Sequence, residues 1–318
     1  MNVTSLRGGL RRRPAWFGPL AALIVVYALF ALLTPPGFVT GATTLTIAQQ
    51  TVIVGICALG MTLVIVTGGI DLSIGSLVAL TTVVVARLLK AGASPVVAVC
   101  AALAVAAVVG LFTGVLVGRF RMMPFVVTLG TMSALRGAAK GLANESTVQA
   151  DARGLDELLT ASVTAPGVWI ALVLALLVAA TLTFTRFGRH VLAVGSNEAA
   201  ARLCGVDPAR VKLAVYVLSA LLTAVAGVMQ FSQLSVGDPT VSVGLELDVI
   251  AAVVIGGAPL TGGQGSVVGS VLGALLMIVI RVGATQLGLP GWVQEIVTGG
   301  IIVVAVALDR ARHRRRRV

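Results

Sequence analysis

Thr44 to Thr67 reads TLTIAQQTVIVGICALGMTLVIVT, without a single charged side chain. Wound as an α-helix at 1.5 Å per residue, such a stretch is about 36 Å long, enough to cross a hydrocarbon layer of ~30 Å. Inside that layer water cannot satisfy backbone N–H and C=O groups, so a run this apolar must close its hydrogen bonds within itself as a helix. Outward from it, comparable runs recur along the chain from Trp16 to Leu308, and 58% of the residues are hydrophobic against 11% charged. The reading is an all-α, polytopic transmembrane bundle.

The apolar stretches fall at 17–33, 44–67, 72–89, 95–117, 124–142, 166–185, 213–233, 246–261, 267–286 and 292–308, about ten spans in all. No polar segment is long enough for a separate soluble domain, so residues 1–318 are read as one transmembrane domain. Basic residues crowd both ends, in a terminus at 1–15 and a tail at 309–318. The net charge of +11 comes with almost no aromatic residues interleaved among the Lys and Arg, which argues for membrane topology and against a nucleic-acid partner. Both termini are placed in the cytoplasm, which an even number of spans allows. The 72–89 span is the awkward one, because it leaves Arg87 and Lys90 outside. The first span is read as a retained anchor, because TPPGFVTG follows it with no small-x-small cleavage site before it. The longest polar insert, 143–165, is read as outer and either a flexible loop or part of a docking surface.

Two Gly-rich stretches echo each other: GGIDLSIG at Gly68–Gly75 and GGAPLTGG at Gly256–Gly263. The common pattern GGxxL[ST]xG sits between apolar helices in both places and suggests a parallel internal repeat; chance recurrence in a chain with 37 glycines is the alternative. Gly68, Gly69, Gly256 and Gly257 suit a broken helix or a close backbone approach. Asp71 and Ser73 follow the first pair, and an ionisable group beside a span has either a partner or a purpose. Asp71 is read as a helix cap or as a group lining a cavity. Gln49, Gln50, Gln230 and Gln233 face the pathway or bond neighbouring helices.

Between the sixth and seventh spans lies a basic inner loop, 186–212. Ser196 or Asn197 caps a short helix, Glu198 complements its dipole, and Ala199, Ala200 and the residues to Leu203 form its body. Gly205 stops it, and Asp207 with Pro208 starts the next helix. A small rigid helix on that face suits a groove on another protein, or serves as an amphipathic connector on lipid headgroups.

Several chemistries are excluded. LTGGQ at Leu260–Gln264 imitates an ATPase signature, yet none of Lys90, Lys140 and Lys212 completes a phosphate-binding GxxxxGK[ST] loop. His190 and His313 are isolated and make no metal site. Cys57, Cys100 and Cys204 have no CxxC spacing and are read as free thiols. The chain is not read as an enzyme and is expected to bind no cofactor or metal itself.

Three blocks carry a family resemblance. GMTLVIVTGGIDLSIGSLVAL (Gly60–Leu80) resembles the signature stretch of ribose, xylose and arabinose-type permeases of bacterial ATP-binding-cassette importers. AVGSNEAAARLCGV (Ala193–Val206) resembles their cytoplasmic loop that contacts the ATPase, and DVIAAVVIGGAPLTGGQGSVVGSVLGALL (Asp248–Leu276) their C-terminal block. The likeness runs from about 45 to 308; the basic tail departs from it. It implies a monosaccharide permease of the bacterial inner membrane, paired with a second permease copy and driven by a separate ABC ATPase subunit that holds ATP and Mg. An extracytoplasmic sugar-binding protein would deliver the solute, and Asn197, Glu198, Ala199, Ala200 and Gly205 would couple the gate to the ATPase. Permeases of the same architecture for branched-chain amino acids or nucleosides are the alternative. The scarcity of charge in the spans suggests a neutral solute held loosely, with selectivity mainly in the delivery protein.

Overall fold

The computed structural model describes residues 16–34, 37–159 and 165–315. The predicted basic N-terminus at 1–15 lies outside them. Among the described residues twelve α-helices follow in order: α1 (Phe17–Leu33), α2 (Gly41–Val66), α3 (Ile74–Lys90), α4 (Pro95–Gly118), α5 (Pro124–Ala143), α6 (Pro166–Phe184), α7 (Arg186–Ser196), α8 (Glu198–Leu203), α9 (Pro208–Leu234), α10 (Leu245–Ile255), α11 (Val267–Gln286) and α12 (Gly291–Arg315). The described part of the predicted tail continues α12. Two-residue strands β1 (Val148–Gln149) and β2 (Val236–Gly237) pair antiparallel, and a 3-10 helix covers Leu155–Leu159.

The stretch that decides the class forms the centre. From Val52 to Val66 every residue of α2 is buried, and Thr62 donates a hydrogen bond to Ser270 of α11 at 2.7 Å. Five helices, α2, α4, α6, α9 and α11, are long and apolar enough to cross a membrane by length and composition. The outer helices turn large apolar side chains outward, among them Phe112, Trp169 and Phe184. That is stable against lipid and costly in water.

Between α4 and α9 the packing rests on small residues. Ala98, Ala102, Ala106, Gly110, Gly114 and Gly118 recur every fourth position of α4, and all are buried. A Cβ on Gly110 would stand 2.7 Å from the Val217 Cα, and one on Gly114 2.9 Å from the Leu213 Cα. Two backbones in such contact gain dispersion energy that lipid cannot match. This stripe is legible in the sequence and had gone unread.

Two predicted spans are corrected. After Val66 the chain does not stay at one face; it re-enters the bundle as residues 67–73, and α3 starts inside. Leu77 and Leu80 of α3 pack with Ala220 and Ala224, near the middle of α9. The stretch 246–261 holds only the 11-residue α10, about 16 Å long, too short to cross alone. Its start meets that of α3: a Cβ on Gly75 would lie 3.6 Å from the Leu245 Cβ. Two half-helices thus meet N-terminus to N-terminus within the bundle, with Asp71 and Ser73 before one and Glu246 and Asp248 in the first turn of the other. Carboxylates belong there, because each helix start carries a partial positive charge. The span interiors are therefore less free of charge than expected. Asp71 and Asp248 are both buried, and Asp248 pairs with Arg281.

The polar insert is no loose loop where it is described. β1 pairs with β2, and the 3-10 helix closes the end of α9, where the Leu159 N–H donates to the Ser232 hydroxyl at 3.0 Å.

Candidate functional site

Two regions hold the predicted site residues, at opposite ends of the bundle. At the first end, the inner loop is locally determined as its caps foretell. The Asn197 carboxamide oxygen accepts from the Ala200 N–H at 3.0 Å and starts α8, and Gly205 stops it with φ +82°. The Asp207 carboxylate accepts from the Ala209 N–H at 3.0 Å and opens α9 at Pro208. Residues 186–196 are additionally helical, as α7, with Val191 and Val194 turned inward.

Glu198 faces its own protein. The Lys212 ammonium donates to its Oε2 at 2.6 Å and Arg202 to its Oε1 at 3.2 Å. The Lys212 hydrogen bond holds the Glu198 carboxyl below the usual carboxylate range, against a weaker upward push from burial. The pair ties α8 to the first turns of α9. Leu203 is 91% exposed, and with Ala199, Arg202 and Arg121 it borders an open cleft of about 520 Å³.

The base of this loop is wedged against both Gly-rich turns. The Gly263 N–H donates to the Val66 carbonyl at 2.9 Å, joining the loop after α10 to the end of α2. Gly195, in the last turn of α7, lies on that hydrogen bond: a Cβ there would overlap the Val66 oxygen and stand 2.7 Å from the Gly263 nitrogen. A Cβ on Gly262 would lie 2.8 Å from the Gly68 nitrogen and 3.1 Å from the Gly195 oxygen. The echoing motifs therefore touch. The left-handed residue is Gly68 in the first pair, with φ +79°, and Gly257 in the second, with φ +95°. Gly256 has an ordinary helical φ and packs on Gly269 of α11. Gly69 lies under the Tyr216 hydroxyl, 2.7 Å from where its Cβ would be. Asp71 accepts from the Ser73 N–H at 2.9 Å and the Ser73 hydroxyl at 2.6 Å, a local turn ahead of α3; the residue at the helix cap is Ser73, and no side chain bonds the first amides of α3.

Beyond the midpoint of α2, Gln50 lies about 24 Å along the helix from Val66. It borders a cavity of about 270 Å³ together with Gln230 and Gln233 of α9, Ser242 and Arg281. Gln49 does not line it; its amide donates to the Leu159 carbonyl at 2.8 Å and pins the polar insert. Arg281 and its partner Asp248 escaped the sequence reading. A cation and an anion inside apolar stretches 33 residues apart were the available signal. Among the described residues no cluster of His, Cys, Asp and Glu suits a metal ion.

Residues 43–306 match the protein family described as branched-chain amino acid transport system / permease component. The chain is 41% identical to the ribose import permease protein RbsC of Escherichia coli K12, over 98% of this chain and 100% of that one. It is 37% identical to RbsC of Bacillus subtilis, over 93% and 92%. It is 36% identical to the L-arabinose ABC transporter permease protein AraH of Azospirillum brasilense, over 98% and 92%. No solved structure matches the chain.

Proposed function

Since this chain belongs to the branched-chain amino acid transport system / permease component family, we propose that it is the membrane gate of an ATP-binding-cassette importer for a monosaccharide. Relatives named for ribose and L-arabinose, similar over nearly their whole length, favour a sugar over the amino acid in the family's description. In this reading a separate ATPase hydrolyses ATP beneath the α8 end, a second permease copy completes the pore, and an extracytoplasmic binding protein delivers the sugar to the opposite end. The α8 end and both termini then face the cytoplasm, and the chain makes ten crossings, with α3 and α10 each completing one only together with the non-helical segment before it.

The observation that carries the mechanism is the three-way contact of Gly195, Val66 and Gly263. Leu203 and Ala199 offer a small apolar knob to the ATPase. The Glu198–Lys212 pair makes α8 and α9 move together. A displacement of α7 and α8 presses directly on the end of α2 and on the loop that follows α10, so it bears on the two elements whose far portions border the cavity. Uniform burial lets force pass with little loss, because packed interiors have low compressibility. Direction comes from ATP on the partner; this chain supplies the lever and the gate.

Reconstitution tests this. The permease, the ATPase and the binding protein are placed together in proteoliposomes with labelled D-ribose or L-arabinose. Uptake should require ATP and all three proteins. Nucleotide turnover by the purified permease, or accumulation of sugar without its companions, would overturn the reading.

A further inference from the structure

The cavity beside α10 has a chemistry of its own. Gln50, Gln230 and Gln233 line one space of about 270 Å³, the first two half-buried and Gln233 exposed at its mouth, and none has a hydrogen-bonding partner among the described residues. Each carboxamide offers two donors and an acceptor with two lone pairs. Left without a solute or water, the half-buried carboxamides of Gln50 and Gln230 are costly. Gln49, the adjacent residue, shows the contrast: its amide is spent on the Leu159 carbonyl. Most of the remaining wall is aliphatic, with Ile53, Val54 and Ile278 among it.

Charge narrows the occupant. Among the described residues Arg281 is the one charged residue at this wall, and its guanidinium is already paired with the buried Asp248. A solute carrying a full charge would find no unpaired counter-charge. Size narrows it further. The space equals on the order of nine water molecules and lies just under the smallest pockets that hold drug-sized ligands. Aliphatic walls suit C–H faces, and carboxamides suit hydroxyls in either hydrogen-bond sense. Among the described residues no aromatic ring lines the space to hold a pyranose or furanose face tightly.

We propose that this cavity is a transit site for one neutral, polyhydroxylated molecule of monosaccharide size, with Gln50, Gln230 and Gln233 replacing the water stripped from its hydroxyls. Ser242 adds a hydroxyl from the chain leading into α10, and Asp248 positions Arg281 along the wall. The assignment rests on the sugar-import reading above and deepens it: the permease, as well as the delivery protein, discriminates among solutes.

The test uses the complete reconstituted complex, with its binding protein saturated by D-ribose or L-arabinose. Under saturation the delivery step is the same for every variant. Gln50→Leu and Gln233→Leu should each slow sugar uptake roughly three- to tenfold, the worth of one or two neutral hydrogen bonds. ATP turnover stimulated by the loaded binding protein should persist. The ratio of ribose to arabinose uptake should shift by at least threefold, and Gln50→Asn should recover part of the rate. A general packing defect would slow both sugars alike and would leave the ratio alone, so an unchanged ratio overturns the assignment. So does normal uptake by a Gln50→Leu/Gln233→Leu double variant. Failure of the wild-type complex to take up either sugar would instead strike the import reading itself, and this assignment with it.

Discussion

Replacing Gly195 by alanine adds one methyl group at the point where the inner loop meets both Gly-rich turns. The new Cβ would overlap the Val66 carbonyl oxygen and stand 2.7 Å from the Gly263 nitrogen and 2.8 Å from the Val66 carbonyl carbon. Ordinary contact begins at 3.4 Å, so the joint must open by roughly 0.7 Å or more. Its neighbours there are backbone atoms, which cannot rotate away as a side-chain tip would. Overpacking of this kind costs about 1–3 kcal/mol. Loss of the Gly263 N–H to Val66 hydrogen bond adds about 0.5–1.5 kcal/mol. The total of about 1.5–4.5 kcal/mol weakens the engaged joint by a factor on the order of 10 to 2,000. The assay measures sugar uptake and phosphate release on the same proteoliposomes. Gly195→Ala should insert and assemble, hydrolyse ATP, and carry at least tenfold less sugar per ATP. Gly130→Ala is the control, because nothing lies within 4 Å of that position. Wild-type sugar carried per ATP by Gly195→Ala would refute the lever.

Other perturbations follow from the same geometry. Glu198→Gln should loosen α8 from α9 and reduce coupling while leaving insertion intact; crosslinking between cysteines placed in α8 and in the first turn of α9 would report the looser tie. Because the Glu198 carboxyl lies below its ordinary range, its tie to Lys212 is at full strength above the unfolded carboxylate value of ~4.3 and fades as pH falls through the lower folded value. Coupling should therefore show no loss from this pair between pH 6 and 8, and a loss centred there would count against its role. Gly114→Leu should separate α4 from α9, whose Leu213 Cα lies 2.9 Å from the glycine's would-be Cβ, and cost about 1–3 kcal/mol or more, read as a lower melting temperature in detergent. Arg281→Ala leaves the buried Asp248 carboxylate alone; because the Arg281 side chain is 44% exposed, water screens the pair and the loss should be about 1–3 kcal/mol; the Asp248→Asn/Arg281→Met pair should be milder, and equal damage from both would argue against the pair.

Much of this protein is written locally. The apolar runs state that the chain is helical and lives in lipid, because hydrophobicity and backbone hydrogen bonding in a bilayer are both set by the residues in the run itself. The caps at Asn197, Gly205 and Asp207 state the inner loop almost to the residue, since a cap bonds to amides two or three positions away. Small residues every fourth position along α4 also state where a neighbour comes close, though not which neighbour.

What only the tertiary structure decided lies between elements far apart in the chain. Residues 67–73 dip back into the bundle and α10 starts within it, because α2, α9 and α11 supply surroundings that bury their backbone; hydropathy cannot distinguish a half-helix from a full crossing. Gln49 and Gln50 are identical neighbours in sequence, yet successive residues on a helix point about 100° apart. One therefore holds the Leu159 carbonyl and the other borders the cavity. The meeting of Gly68, Gly195 and Gly262 likewise depends on three distant segments arriving together, and no local rule encodes that arrival.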